Sequence, residues 1–230
     1  MLKFLIILVY FQRPKIVLNA LNSIKQLKYS NWELAFIDDG SNNESLGEPI
    51  VREVLKENLD KIKFYYSNDT IEQKIKQGGS RHGEYMNKAI IESDSDVVIV
   101  LCDDDALISD YLNNLNDYFI NNLDKNYCYS HVIVFNPDYE NPFEKEKTDH
   151  WVNKVGDINP VCNVDSTQVA YRSKCFKEDG LRYPFPQTKN LDAEMFKKLF
   201  ERYGVCSYTG FNSQYKAYFD GQLGNTNINF

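Results

Sequence analysis

Two apolar runs constrain this chain more than any other feature: "LKFLIILVY" at residues 2–10 and the run within "SDVVIVLCDDD" at residues 95–105. A strand with one face in water alternates apolar and polar side chains. A strand covered on both faces does not need to. Helix-like segments separate such runs here, and that combination predicts a parallel sheet with helices packed on both sides.

The segments follow in order. Residues 2–10 form the first predicted strand, and "PKIVLNALNSIKQL" the first helix, with Pro14 suited to its first turn. "WELAFIDDGS", "EPIVREVLKENL" and "KIKFYYSND" read as strand, helix and strand. A loop, "GGSRHG", leads to the helical "EYMNKAIIES". "SDVVIVLCDDD" is the next strand, "SDYLNNLNDYFINNL" a helix with Ser109 as its expected N-cap, and "YCYSHVIVF" a further strand. The first 135 residues thus read as one βαβ series.

The second part is less regular. Residues 136–160 are polar and contain prolines, as a surface excursion would. "STQVAYRSKCF" reads as a strand entering a short helix. In "NLDAEMFKKLFERYG", Leu191, Met195, Phe196 and Leu199 recur at helical spacing and Gly204 is placed to cap the end. The tail "GQLGNTNINF" carries no clear pattern.

Acidic residues end two of the strands. Asp38 and Asp39 close "FIDDGS"; Asp103, Asp104 and Asp105 close "VIVLCDDD". The carboxyl ends of parallel strands share one edge, where ligands of open α/β sheets bind. Three adjacent carboxylates repel one another, and desolvating them alone is costly. A divalent cation removes that cost, because hard cations prefer oxygen ligands. A solvated acidic turn capping the next helix is the alternative for the Asp run alone; the second acidic strand end favours a metal or ligand site.

Bulk properties narrow the function. The net charge of -7 argues against a general nucleic-acid binder. Five cysteines, with no Cys-x-x-Cys, argue against a disulfide framework or a zinc site and for a reducing compartment, so a cytoplasmic location is expected. The opening run is too short to span a bilayer and lacks a small-residue cleavage site, so it is expected to be a strand and not a signal peptide. No other stretch is long and apolar enough for a membrane span.

The chain resembles the family 2 glycosyltransferases, the nucleotide-diphospho-sugar transferases of GT-A fold. The resemblance rests on "VYFQRPKIVLNALNSIKQ", "NWELAFIDDGS", "GGSRHGEYMNKAIIESDSDVVIVLCDDDAL", "AYRSKCFKEDGLRYPF" and "NLDAEMFKKL", in that order, over about residues 2–203. It implies an α/β, Rossmann-like single domain over residues 1–230, with a mostly parallel central sheet flanked by helices. Residues 1–135 would form the nucleotide-sugar half and residues 136–230 the acceptor half. Asp38 and Asp39 would lie near the base with Tyr10 and Phe11, and Asp103 and Asp104 near ribose and diphosphate. Asp105 would lead the metal ligands, joined by Asp103. Arg81 and Asn87 would flank the donor pocket. Asp192 would be the general base, with Glu194 its substitute. Two positions depart from the family pattern: Cys102 stands where an Asp is usual, and Leu191 where a Glu precedes the catalytic Asp.

The implied chemistry is transfer from a nucleotide-diphosphate sugar, with uridine as the default base, to a hydroxyl of a glycan or glycoconjugate. Mn²⁺ or Mg²⁺ would stabilise the leaving diphosphate. One carboxylate would take the acceptor proton, and a single displacement would invert the anomeric carbon. A catalytically inactive nucleotide-sugar-binding module is the alternative; Asp103, Asp105 and Asp192 argue against it, while Cys102 and Leu191 leave it open. A Mg²⁺-dependent phosphoacceptor domain would need a Lys at a later strand end, which "SHVIVFNPD" lacks. A nucleotidyltransferase would call for a Gly-rich phosphate loop near the first strand, and none is present. Among smaller signals, Trp151 and Tyr183 could stack on an acceptor sugar or simply pack. Asp165 is a weaker candidate contact. His82, His131 and His150 are too scattered for a metal set.

Overall fold

The structure, a computed structural model, describes residues 1–77, 79, 81–135, 154–185, 191–219 and 222–223. Trp151, His150, Gly78, most of the expected excursion and most of the tail lie outside these residues.

The first half is built as the apolar runs require. Strands β1 (Phe4–Tyr10), β2 (Trp32–Asp38), β3 (Ile62–Tyr66) and β4 (Val97–Cys102) form an all-parallel sheet ordered β3-β2-β1-β4. Alternate residues of β1 enter separate cores. Phe4, Ile6, Leu8 and Tyr10 face helices α1 (Val17–Lys25), α2 (Gly47–Val54) and, from beyond β4, α5 (Tyr111–Asn121). Leu5 and Ile7 face α4 (His82–Glu92), α6 (Lys174–Lys177) and α7 (Leu191–Tyr203). Both faces of β1 are therefore dry, which is why no polar residue interrupts its centre. A short helix α3 (Ile71–Gln77), which the periodicity did not single out, precedes α4.

The expected βαβ series stops at β4. Strand β7 (Val169–Arg172) pairs antiparallel with β4 and again with β6 (Tyr127–Phe135), so it lies between them. Long strand β8 (Ser207–Phe219) pairs parallel with β6 and antiparallel with two-residue strands β5 (Ala106–Leu107) and β9 (Gln222–Leu223). The sheet is thus parallel from β3 to β4 and mixed beyond β4. Helix α5 begins one residue later than expected: Asp110, not Ser109, occupies the cap position, and no side chain caps the helix. The Ser109 carbonyl accepts from Lys28 N–H instead. Gly204 ends α7 as expected, in the left-handed region at φ 78°, with its N–H on the Phe200 carbonyl. No helix among the described residues is long and apolar enough to cross a membrane.

Candidate active site

Register places the site. Tyr10 pairs with Asp38, Asp38 with Tyr66, and Val9 with Cys102, so β1, β2, β3 and β4 end nearly flush. Both acidic strand ends therefore reach one edge of the parallel sheet, as expected.

Each acidic group meets a basic side chain from elsewhere in the chain. Arg13, in the loop after β1, grips Asp103: Nε donates to Oδ2 at 3.0 Å and Nη2 to Oδ1. Its Nη1 reaches Asp104 Oδ2 at 3.3 Å. The loop that aims Arg13 is pinned at both ends. Gln12, at φ 50°, donates its N–H to Ser41 Oγ, and the Arg13 carbonyl accepts from Ile16 and Val17 at the start of α1. Asp103 is 1% exposed. Burial pushes its carboxyl up to about 6; Arg13 pulls it down and Asp104 repels it upward.

At the second cluster, Asp38 serves its own loop. Its two oxygens accept from Ser41 N–H and Gly47 N–H. Asp39 turns to Lys74 of α3, with Nζ 3.0 Å from Oδ2, while the same ammonium donates to the Asp39 carbonyl. That ammonium also lies 4.1 Å over the Phe11 ring. His82 Nδ1 stands 3.7 Å from Asp39 Oδ2. Phe11, Asp39, Lys74 and His82 thus enclose one corner of the site.

A turn shapes the triple Asp itself. Asp105 N–H donates to the Cys102 carbonyl at 3.2 Å, bringing the ends of the four-residue segment together. One ligand atom each from Cys102, Asp104 and Asp105 then lies within 4.8 Å of the others. Two hard oxygens and a sulfur within that distance fit a divalent cation. Asp103, expected beside Asp105 among the ligands, is instead turned to Arg13.

The remaining expected residues are spread around this edge. Arg81, at the cap of α4, pairs with Glu84 and stacks 5.0 Å from the Phe185 ring. Asn87 holds a backbone: its Nδ2 donates to the Tyr183 carbonyl at 3.0 Å, and its Oδ1 accepts from Tyr183 N–H at 2.8 Å. Tyr183 is itself buried, its hydroxyl 2.5 Å from that of Tyr171, so it packs and offers no face to a sugar. Asp165 caps the short turn at Ser166–Gln168, accepting from Thr167 N–H while Gln168 answers its backbone. His131 spends both ring nitrogens on the Lys154 carbonyl and the Tyr208 hydroxyl. Asp192 and Glu194 lie in the first turn of α7. That turn abuts the start of α4: a Cβ on Gly83 would meet the Pro184 carbonyl at 2.9 Å and Leu191 Cδ1 at 3.3 Å.

Asn87→Ala tests how far this pair of bonds holds the fold. The two lost bonds are expected to cost about 1–2 kcal/mol in urea unfolding. A variant as stable as wild type would show that the Tyr183 backbone does not need them.

A family model described as glycosyl transferase family 2 matches residues 5–209. The chain belongs to that family. Family 2 membership agrees with the architecture above, and solved structures share the fold. S. aureus TarS, residues 1–349 in complex with UDP-GlcNAc, matches at a TM-score of 0.72 and 15% identity, over 96% of this chain and 60% of that one. The same TarS fragment with UDP matches at 0.71 and 14%, over 94% and 60%. The mannosyltransferase PcManGT from Pyrobaculum calidifontis, in complex with GDP-Man and Mn²⁺, matches at 0.63 and 12%, over 92% and 56%. Against the longer TarS chain the match spans 36% of its length. No curated protein matches the sequence.

Sequence reasoning missed Arg13, Lys74 and the inclusion of Cys102. For Arg13 a signal existed: a basic residue three positions past the end of the central strand must lie near the ends of its neighbours. Nothing in "IEQKIKQ" marks Lys74.

Proposed function

We propose that this protein is a nucleotide-sugar glycosyltransferase that moves a sugar from a uridine diphosphate sugar to an acceptor hydroxyl with inversion, assisted by a divalent cation. The observation that carries this reading is the Cys102–Asp104–Asp105 cluster at the strand edge it shares with Asp38 and Asp39. Family membership supports the reaction class, and the UDP, UDP-GlcNAc and Mn²⁺ complexes of the matched structures support donor type and metal.

Asp105 and Asp104 would hold the cation, Mn²⁺ or Mg²⁺, which would supply charge to offset the departing diphosphate. Asp103 acts beside them through Arg13. Phe11 and Asp39, braced by Lys74, receive the base, while Asp38 and Tyr10 shape the loop around it. Tyr10 does so through its hydroxyl, 2.6 Å from the Ser45 carbonyl. Arg81 and Asn87 frame the donor side, Asn87 by fastening Tyr183. Asp192 accepts the proton of the acceptor hydroxyl as it attacks the anomeric carbon, with Glu194 in reserve. Residues 1–135 serve the donor and residues 136–230 the acceptor, a glycan or glycoconjugate.

Calorimetry with UDP, GDP and their sugar conjugates, with Mn²⁺ and with chelator, tests the reading on wild type and Asp105→Ala. Metal-dependent binding of a uridine nucleotide is expected, weakened at least about tenfold in the variant. No binding of any nucleotide with any metal would sink it.

A further inference from the structure

The donor set at the strand edge contains one atom that an all-carboxylate metal site lacks. Cys102 is the last residue of β4 and is partly exposed. The hydrogen bond from Asp105 N–H to the Cys102 carbonyl closes the turn that sets these two residues side by side. The sulfur and one oxygen from each of Asp104 and Asp105 lie within 4.8 Å of one another. Metal–ligand bonds of about 2.0–2.3 Å place two ligands of one ion within about 4.5 Å of each other, so small side-chain rotations suffice for a shared ion. Asp103 is engaged differently: the Arg13 fork covers both its oxygens. Of residues 102–105, the three that converge are two carboxylates and a sulfur.

Resting on the reading that this cluster holds the donor's cation, we propose that the Cys102 sulfur is a direct ligand of that cation and biases the site toward thiophilic divalent ions over Mg²⁺. Ligation breaks the S–H bond, forms a sulfur–metal bond with the pair already on sulfur, and releases the proton to solvent. Thiolates favour Zn²⁺ and the heavier, softer ions, whereas Mg²⁺ demands oxygen ligands and surrenders its waters reluctantly. A site with one sulfur in place of a carboxylate is therefore expected to rank Cd²⁺, Zn²⁺ and Co²⁺ well above Mg²⁺, with Mn²⁺ between.

Cysteine placement makes this measurable. Cys128, Cys175 and Cys206 are buried, and Cys162 is the exposed cysteine. The 230-residue chain carrying Cys162→Ser is titrated with CdCl2 alone, and then with UDP, while the ultraviolet sulfur-to-cadmium charge-transfer band is followed. A band that saturates at one ion per chain is expected. Adding Cys102→Ser is expected to remove it and to weaken Cd²⁺ at least about tenfold. Adding Cys102→Asp instead also removes the sulfur but keeps a ligand. That variant is expected to shift competition between Cd²⁺ and Mg²⁺ toward Mg²⁺ by a similar factor, and it serves where the serine variant does not fold. Absence of a band at saturating Cd²⁺, a band that survives loss of Cys102, or an unchanged metal ranking in Cys102→Asp would each overturn the proposal. Mn²⁺-dependent UDP binding without a band leaves the transferase reading standing and this inference refuted. A Cys102-dependent band without nucleotide binding does the reverse.

Discussion

Arg13→Ala is expected to destabilise the protein by about 3 kcal/mol near neutral pH, the low end of the cost of breaking a buried ion pair by removing one partner. Asp103 stays behind, 1% exposed and beside Asp104. The loss should depend on pH, and its sign follows from Asp103. In the folded protein that carboxyl is pushed up to about 6, above its unfolded value near 3.8. A raised carboxyl favours the protonated folded state, so wild-type stability falls as pH rises between those values and then levels off. Without Arg13 the carboxyl rises further and the fall continues above 6. The deficit between variant and wild type is therefore small at about pH 5 and large at about pH 8, a difference urea unfolding reads directly. An equal deficit at both would mean that Arg13 contributes packing and hydrogen bonds but little charge compensation. Arg13→Lys keeps the charge and loses the fork, so it should recover only part of the loss.

Gly47→Ala is expected to cost about 1–3 kcal/mol, the range for overpacking a tight core. Gly47 opens α2 where its backbone rests on two aromatic rings. A Cβ there would lie 2.5 Å from Phe36 Cε1 and 2.7 Å from Tyr10 Cδ1. Neither ring can yield easily. Tyr10 and Phe36 are fully buried with centroids 5.5 Å apart, and the Tyr10 hydroxyl is held by the Ser45 carbonyl. The substitution should also disturb the site, because Gly47 N–H bonds Asp38 Oδ2 at 3.0 Å. Thermal unfolding measures the first effect and UDP affinity the second. A variant as stable as wild type would show that α2 can lift from the sheet without loss.

The parallel half of the fold was legible because its signals are local. Uninterrupted apolar runs such as "FLIILVY" and "VVIVLC" need cover on both faces, and helices between them and beyond β4 supply it. Carboxylates directly after those runs must emerge at one edge, as Asp38 and the Asp103–Asp105 turn do. Beyond β4 the local signal fades. Strand β8 carries polar residues, Gly210 in the left-handed region, and a pairing with β6 whose register shifts near His131. Its partners explain its existence, and they are chosen by topology.

Side-chain roles divide along the same line. Residue type and position after a strand suffice to nominate Asp38, Asp39 and the three consecutive carboxylates. Which of them joins the cluster with Cys102, and which meets a guanidinium, depends on contacts between residues far apart in the chain. Arg13 meets Asp103 across 90 residues, Asn87 meets Tyr183 across 96, and Lys74 meets Asp39 across 35. Those meetings require the strand order β3-β2-β1-β4-β7-β6. Alternation of strands and helices is compatible with many orders. Burial and charge pairing are properties of the assembled sheet, so only its assembly turned Asp103 toward Arg13 and set Cys102 beside Asp104 and Asp105.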